Sequence, residues 1–239
     1  MGRVREDCQY MKFSIIIPCF NEEENIENLI LEIDKYLADQ IKYEIIIVDD
    51  CSNKKTKDII LNIKSKTNLR LISNSQNMGQ SYSIFKGIKN SHFENIITID
   101  GDGQNDPIDI MKLINIYNTS TYGLVGGLRL KRKDNIIKRI SSLFANYIRN
   151  LVLKDNCRDT GCSLKIFSKT IFMKMPYFDG IHRFLPALFK AYGCATTFIP
   201  VNHRHRKFGT SNYGTFDRAI RGIRDLIKVY FLIRKLKND

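Results

Sequence analysis

Two carboxylates one residue apart, Asp100 and Asp102, stand at the abrupt end of a short apolar run, Ile96-Ile-Thr-Ile99, and Gln104 follows them. A buried strand does not ordinarily finish in two acids with one glycine between them. Alternate residues of an extended segment face the same way, so the pair is expected to address one point beyond the strand end. Glycines at 101 and 103 let the backbone come close to a ligand. With the Gln104 carbonyl, the two carboxylates form a hard-oxygen set suited to Mg²⁺ or Mn²⁺, whose shell is usually completed by substrate phosphates. The competing reading is a polar strand-to-helix turn in which Asp106 caps a helix opened by Pro107. The rest of the chain decides between them.

The elements that must position this pair alternate between two periodicities. Strands are expected at 13–17, 43–48, 69–73, 95–99 and 122–128, with helices from Asn21, over 54–64, from Asn77 through Lys89, and from Pro107 to Tyr117. The acids at 22–24 then fall in the first turn of the first helix. Such alternation argues an α/β fold with a mostly parallel sheet flanked by helices, whose ligands sit beyond the carboxyl ends of the strands. Three strand ends carry polar clusters, Pro18-Cys-Phe-Asn-Glu22, Asp49-Asp50-Cys-Ser52 and Asp100-Gly-Asp102, and all three meet along one edge. No G-x-G-x-x-G follows the first strand and no G-x-x-x-x-G-K-[ST] occurs, so a glycine-loop dinucleotide or phosphate site is excluded.

The chain has 239 residues and a formal net charge of +13, unevenly spread. Residues 1–120 hold 14 Lys and Arg against 18 Asp and Glu; residues 121–239 hold 24 against 7. The basic half favours an anionic partner such as a membrane surface or a phosphorylated substrate. The six cysteines form no C-x-x-C pair and read as reduced, buried residues. No run of about 18 apolar residues is present, so no span is expected, and the short, charged start reads as no signal peptide. The last segment, 216–237, is an amphipathic helix in pattern, with Ile220, Ile223, Ile227 and Tyr230 set against Arg218, Arg221, Arg224 and Lys228. It suits either packing on its own domain or lying in a membrane interface.

Other chemistry-bearing residues lie in the second half: Arg129 after a Gly-Gly turn, a basic helix from about 136 to 152 with Arg139, Ser142 and Asn146 at helical spacing, Asp179-Gly-Ile-His182-Arg183, and a loop with Arg204, Arg206, Ser211 and Tyr213. In this order and spacing, Ile15-Ile-Ile-Pro-Cys-Phe-Asn-Glu-Glu23, Val48-Asp-Asp-Cys-Ser52, Asn77-x-Gly79, Asp100-Gly-Asp-Gly-Gln-Asn-Asp-Pro107 and the basic residues just named resemble the family 2 glycosyltransferases of GT-A fold, of the dolichol- or undecaprenyl-phosphate sugar transferase type. The resemblance runs from about Phe13 to Arg234.

The resemblance implies that Pro18, Asn21, Glu22, Asp49, Asp50, Asn77, Gly79, Asp100 and Arg129 line the nucleotide-sugar site. It puts the divalent metal on Asp100, Asp102 and Gln104, and donor or acceptor phosphates on Arg129, Arg139, Arg204, Arg206 and Ser211. It implies a catalytic domain over 13–214 after an extension of residues 1–12, with a membrane-associated helix over 215–239. The expected partners are a UDP- or GDP-sugar, a polyprenyl phosphate acceptor and the cytoplasmic face of a membrane; a homo-oligomer is compatible with this. If the acceptor is instead a glycan hydroxyl, Asp179 is the candidate base, with a helix N-cap as its bland alternative. A basic nucleic-acid-binding module would explain the charge but not the acidic strand ends, and no nucleic-acid partner is expected. Two departures from the family pattern stand out: glycine at both 101 and 103, which predicts a looser metal loop, and Cys51 where the family has glycine.

Overall fold

The computed structural model describes residues 11–64, 69–129, 147–205 and 215–236. Its strands are β1 (Lys12–Cys19), β2 (Lys42–Asp49), β3 (Leu69–Ser73), β4 (Asn95–Thr98), β5 (Tyr122–Arg129), β6 (Lys165–Ser168) and β7 (Ala195–Val201). They form one sheet in the order β3-β2-β1-β4-β6-β5-β7, parallel throughout except for β6, which runs antiparallel to both β4 and β5. The helices are α1 (Ile26–Leu37), α2 (Lys54–Lys64), α3 (Gln80–Lys89), α4 (Asp109–Thr119), α5 (Lys169–Met173), α6 (Leu185–Ala191) and α7 (Thr215–Leu236), with a 3₁₀ turn at Ile181–Arg183. Residues 147–153 are also helical.

Both faces of the sheet are covered, which is why its central strands read as continuous apolar runs rather than alternating ones. On one face Ile15, Ile17, Ile45, Ile47 and Ile97 pack against Ile30 and Ile33 of α1, Ile60 of α2 and Leu113 of α4. On the other, Ile16, Ile46, Val48, Ile96 and Phe167 pack against Ile84 and Ile88 of α3, Phe172 of α5 and Leu188 and Phe189 of α6. Successive isoleucines of β1 thus serve opposite cores, which fixes the strand between two layers of helices.

Two expectations are corrected. The first helix begins at Ile26, not Asn21, so Glu22, Glu23 and Glu24 precede it and Glu27 is the acid of its first turn. Asn21 adopts φ 55, a left-handed conformation that no helix can include but that asparagine tolerates better than most residues. The second correction concerns α7, which carries two apolar stripes. Its buried Val229, with Leu226, Leu232 and Ile233, packs onto the second core. Of the stripe marked in the sequence, Ile223 and Ile227 face solvent at 61% and 52% exposure, together with Tyr230 and the neighbouring Phe231. The helix packs on its own domain with one face and presents an apolar strip with the other.

Candidate active site

The carboxyl ends of β3, β2, β1 and β4 lie side by side, and a chain of hydrogen bonds ties their loops together. The Asn21 N–H donates to Ser52 Oγ at 3.0 Å and Asn21 Oδ1 accepts from the Asn53 N–H at 2.8 Å, joining the loops after β1 and β2. Asp50 Oδ1 accepts from the Met78 N–H and from Asn74 Nδ2, and Asp50 Oδ2 from the Gly79 N–H. This carboxylate, 4% exposed, therefore holds the 74–79 loop at the start of α3 and has little capacity left for a ligand. Asp49 is fully buried; its Oδ1 accepts from the Ser52 N–H, and its Oδ2 has no hydrogen-bond partner among the described residues, with Lys57 Nζ 4.0 Å away. Pro18 and Glu22 are partly exposed at the same edge, Glu22 Oε2 accepting from Asn25 Nδ2. Asn77 stands exposed on the 74–79 loop.

Asp100 and Asp102 are brought together by a turn over 101–103, not by extended backbone. Gly103 takes φ +70, and a Cβ on Gly101 would lie 3.1 Å from the Pro18 carbonyl oxygen. The two glycines thus make a tight turn against β1, where the sequence had suggested a looser loop. Around the turn, Gln80 Nε2 donates to Asp100 Oδ1 at 2.7 Å, the Asp100 N–H donates to Ser163 Oγ, and Asp102 Oδ1 accepts from the Gln104 N–H. Burial, and after it the charge of Asp102, pushes the Asp100 carboxyl up to about 6, against the opposing pull of Ser163, Lys165 and Arg129. Two carboxylates that repel each other at a partly open strand end fit a divalent cation: the nearby Lys165 and Arg129 charges do not offset burial and mutual repulsion, and the pair offers hard oxygens. The Gln104 side chain is partly exposed beside them. Asp106 Oδ1 accepts from the Ile108 N–H at 3.2 Å in the turn before α4, whose N-cap Ile108 makes no side-chain capping bond.

The arginines divide. Arg129 lies on Asp159 in a two-point pair, Nε to Oδ2 at 2.7 Å and Nη2 to Oδ1 at 2.8 Å, with Nη1 3.4 Å from His203 Nε2. The fork fixes the guanidinium plane, leaving to Nη1 the longer His203 contact. Arg204 is committed to Glu32 Oε2 at 2.6 Å and Asp106 Oδ1 at 2.7 Å, and its N–H donates to the Gln104 carbonyl. It therefore clamps the segment after β7 onto the turn that holds Asp102 and Gln104. Asp179 is exposed, and the 3₁₀ turn after it is capped by Gly180 without a side-chain bond, so Asp179 is not an N-cap. Arg139, Arg206 and Ser211, with Ser142, Asn146 and Tyr213, lie outside the described residues.

Sequence reasoning missed Gln80, Ser163, Lys165 and Asp159. Lys165 carried a signal: a lysine inside the apolar run Leu164–Phe167, 3% exposed and bonded to the Cys162 carbonyl, close enough to Asp100 to stabilise its charge. Ser163 links Asp100 to Asn105, whose Oδ1 accepts from its hydroxyl at 2.7 Å. Gln80 and Asp159 had no such signal, since their partners are distant in the chain.

Comparisons with known proteins point to one class of enzyme. The chain is 32% identical over 238 residues to the dodecaprenyl-phosphate galacturonate synthase of Rhizobium johnstonii, covering 95% of this chain and 68% of that one. It is 31% identical over 220 residues to the undecaprenyl-phosphate 4-deoxy-4-formamido-L-arabinose transferase of Pectobacterium atrosepticum, covering 90% and 66%. The chain thus spans about two thirds of the length of these relatives. Among solved structures, glucosyl-3-phosphoglycerate synthase from Mycobacterium tuberculosis, in complex with Mn²⁺, UDP and glucosyl-3-phosphoglycerate, superposes with a TM-score of 0.69 at 17% identity, covering 95% of this chain and 81% of that one, which establishes the GT-A fold. Residues 14–176 match the model of Glycosyl transferase family 2, and the chain belongs to that family of glycosyltransferases.

Proposed function

We propose that the chain transfers a sugar, with inversion, from a nucleotide-diphosphate-sugar to a polyprenyl phosphate at the cytoplasmic face of a membrane. The observation that carries the reading is the Asp100–Asp102 turn, an under-neutralised carboxylate pair at the shared edge of β1 and β4. The two relatives named above, whose names specify dodecaprenyl and undecaprenyl phosphate, support this acceptor class. Residues 13–214 would form the catalytic domain, preceded by residues 1–12 and followed by the C-terminal segment 215–239.

Asp100, Asp102 and Gln104 would hold Mg²⁺ or Mn²⁺, which when bound neutralises charge developing on the leaving diphosphate. Asp49, Asn21 and Glu22 line the edge on which the nucleoside would rest, and Asp50 keeps the 77–79 loop in place beneath it. Arg129, oriented by Asp159, would offer Nη1 to a phosphate oxygen. A phosphate acceptor is already anionic at pH 7: its oxygen forms the bond to the anomeric carbon as the bond from that carbon to the leaving diphosphate breaks, and no proton has to be removed. The reading therefore needs no general base, and the exposed Asp179 is left for the alternative in which a glycan hydroxyl accepts.

No helix among the described residues is long and apolar enough to cross a membrane. The outward strip of α7, Ile223, Ile227, Tyr230 and Phe231, lies on a helix carrying Arg224, Lys228, Arg234 and Lys235. An apolar strip flanked by cations suits the interface of an anionic bilayer.

The test is release of nucleoside diphosphate from a panel of UDP- and GDP-sugars with Mg²⁺ or Mn²⁺, with and without a short polyprenyl phosphate. Release that needs both metal and lipid phosphate, and falls by at least about 100-fold in Asp102→Asn, is the expected result. Release with a glycan acceptor but not with lipid phosphate would transfer the assignment to the hydroxyl-acceptor enzyme and make Asp179→Asn the next variant.

A further inference from the structure

Ser81, in the first turn of α3, is 1% exposed, and its hydroxyl meets two groups of the turn that follows Phe178. It accepts from the Gly180 N–H at 2.7 Å and lies 2.8 Å from His182 Nδ1. The hydroxyl is buried, and Nδ1 of His182 is the acceptor that the described residues offer its proton, which places the ring's own proton on Nε2. Burial, followed by the nearby Arg183 and Lys165 charges, pushes the His182 pKa down to about 3, so the imidazole stays neutral at any working pH. Nε2–H is thus a donor of fixed tautomer, with no hydrogen bond to another described residue. Its setting is the metal turn. The residue before Ser81 is Gln80, which donates to Asp100, and the Lys165 cation that acts on His182 also acts on Asp100.

Resting on the donor reading above, we infer that His182 is a specificity-determining contact to the transferred sugar, its Nε2–H donating to a hydroxyl or carboxylate oxygen of that sugar, with Ser81 as the positioning residue that sets the tautomer. The nucleoside diphosphate is held by other residues, so the contact distinguishes the nucleotide-sugar from the bare diphosphate. A positively charged ring would be drawn to the diphosphate; a neutral one is better matched to sugar oxygens.

Calorimetric binding of the nucleoside diphosphate and of the nucleotide-sugar selected by the panel above, each with Mn²⁺, tests this in the full chain and in His182→Ala, His182→Gln and Ser81→Ala. Diphosphate affinity should be unchanged within about 2-fold in all four proteins, which also certifies their folding. Nucleotide-sugar affinity should fall about 5- to 10-fold in His182→Ala, the worth of one neutral hydrogen bond. It should recover partly in His182→Gln, whose amide N–H replaces Nε2–H, and fall to an intermediate extent in Ser81→Ala. Equal nucleotide-sugar affinity in wild type and His182→Ala overturns the inference, as do equal losses for diphosphate and nucleotide-sugar, which would mark His182 as scaffold. Diphosphate binding without any gain from a sugar in the wild type would overturn the donor reading itself.

Discussion

Replacing Asp100 with asparagine should stabilise the metal-free protein while abolishing transfer. The Asp100 carboxyl is raised from 3.8 to about 6, first by burial and then by Asp102. A folded pKa above the unfolded one means that the native state holds the proton more tightly. Stability is therefore fully present below the unfolded value and is lost as pH rises through the folded one, here across the window from about 4 to about 6. At about 1.4 kcal/mol per unit, a rise of about two units corresponds to roughly 3 kcal/mol of native-state destabilisation at pH 7.5. Asparagine has no charge to bury, and its carbonyl can still accept from Gln80 Nε2. Urea unfolding should show Asp100→Asn more stable than wild type by roughly 2–3 kcal/mol at pH 7.5 and by only about 1 kcal/mol at pH 4.5, where the native wild-type group is protonated. Saturating Mn²⁺ with nucleoside diphosphate should raise the wild type and not the variant. A variant less stable than wild type at pH 7.5, or a difference of equal size at both pH values, would refute the idea that this pair is held short of positive charge.

Cys51 adopts φ 65 at the end of the β2 loop, so Cys51→Gly relieves about 1–2 kcal/mol of left-handed strain against about 0.5–1 kcal/mol of added chain entropy. A net gain of roughly 1 kcal/mol in urea unfolding is expected, and a loss would show that the thiol contact to the Ser75 carbonyl matters more. Glu44, 4% exposed at the opposite end of the sheet, accepts from the Ser14 hydroxyl, the His92 N–H and Arg70. Burial would raise its pKa, but these donors outweigh burial and hold it below the usual carboxylate range. Its stabilisation is therefore present above the unfolded pKa and lost as pH falls through the folded one. Glu44→Gln should cost about 2–3 kcal/mol at pH 7, the penalty shrinking in acid while kcat/KM is unchanged; a change in kcat/KM would contradict its separation from the site. The double substitution Ile227→Ser with Phe231→Ser should weaken binding to vesicles containing anionic phospholipid by at least about 10-fold. Since both side chains face solvent, melting should not change, and unaltered vesicle binding would remove α7 as the membrane contact.

The parallel core was legible because β1, β2 and β4 are buried on both faces and therefore appear as unbroken isoleucine runs that stop at polar residues. The antiparallel insertion of β6 was not, since nothing in Lys165-Ile-Phe-Ser168 marks direction; that is set by its pairing with Thr98 and Gly126. The inward face of α7 was also hidden. Two apolar stripes on one helix look alike in sequence, and only the surface left open by α6 and the 178–184 turn selects Val229 over Ile227.

The carboxylates at the strand ends show the same limit at the level of chemistry. Asp49, Asp50, Asp100 and Asp102 are equivalent letters at equivalent places, yet they end up with different work. The 74–79 loop folds back over Asp50 and supplies three donors, so its charge is spent within the protein. The turn over 101–103 brings Asp102 toward Asp100; Gln80 of α3 donates to Asp100 and the Gln104 N–H to Asp102, and no cationic side chain among the described residues is bonded to either. Hydrogen-bond saturation, which depends on where distant loops fall, separates the carboxylate that builds the site from the pair that keeps free acceptor capacity, the pair proposed above to hold the metal. The same reasoning applies to the arginines. Arg204 is consumed by Glu32 and Asp106, whereas the Asp159 fork turns Arg129 into a fixed donor. Asp159→Asn should therefore lower affinity for the diphosphate without the loss of folding expected from Asp50→Asn, which would release the 77–79 loop.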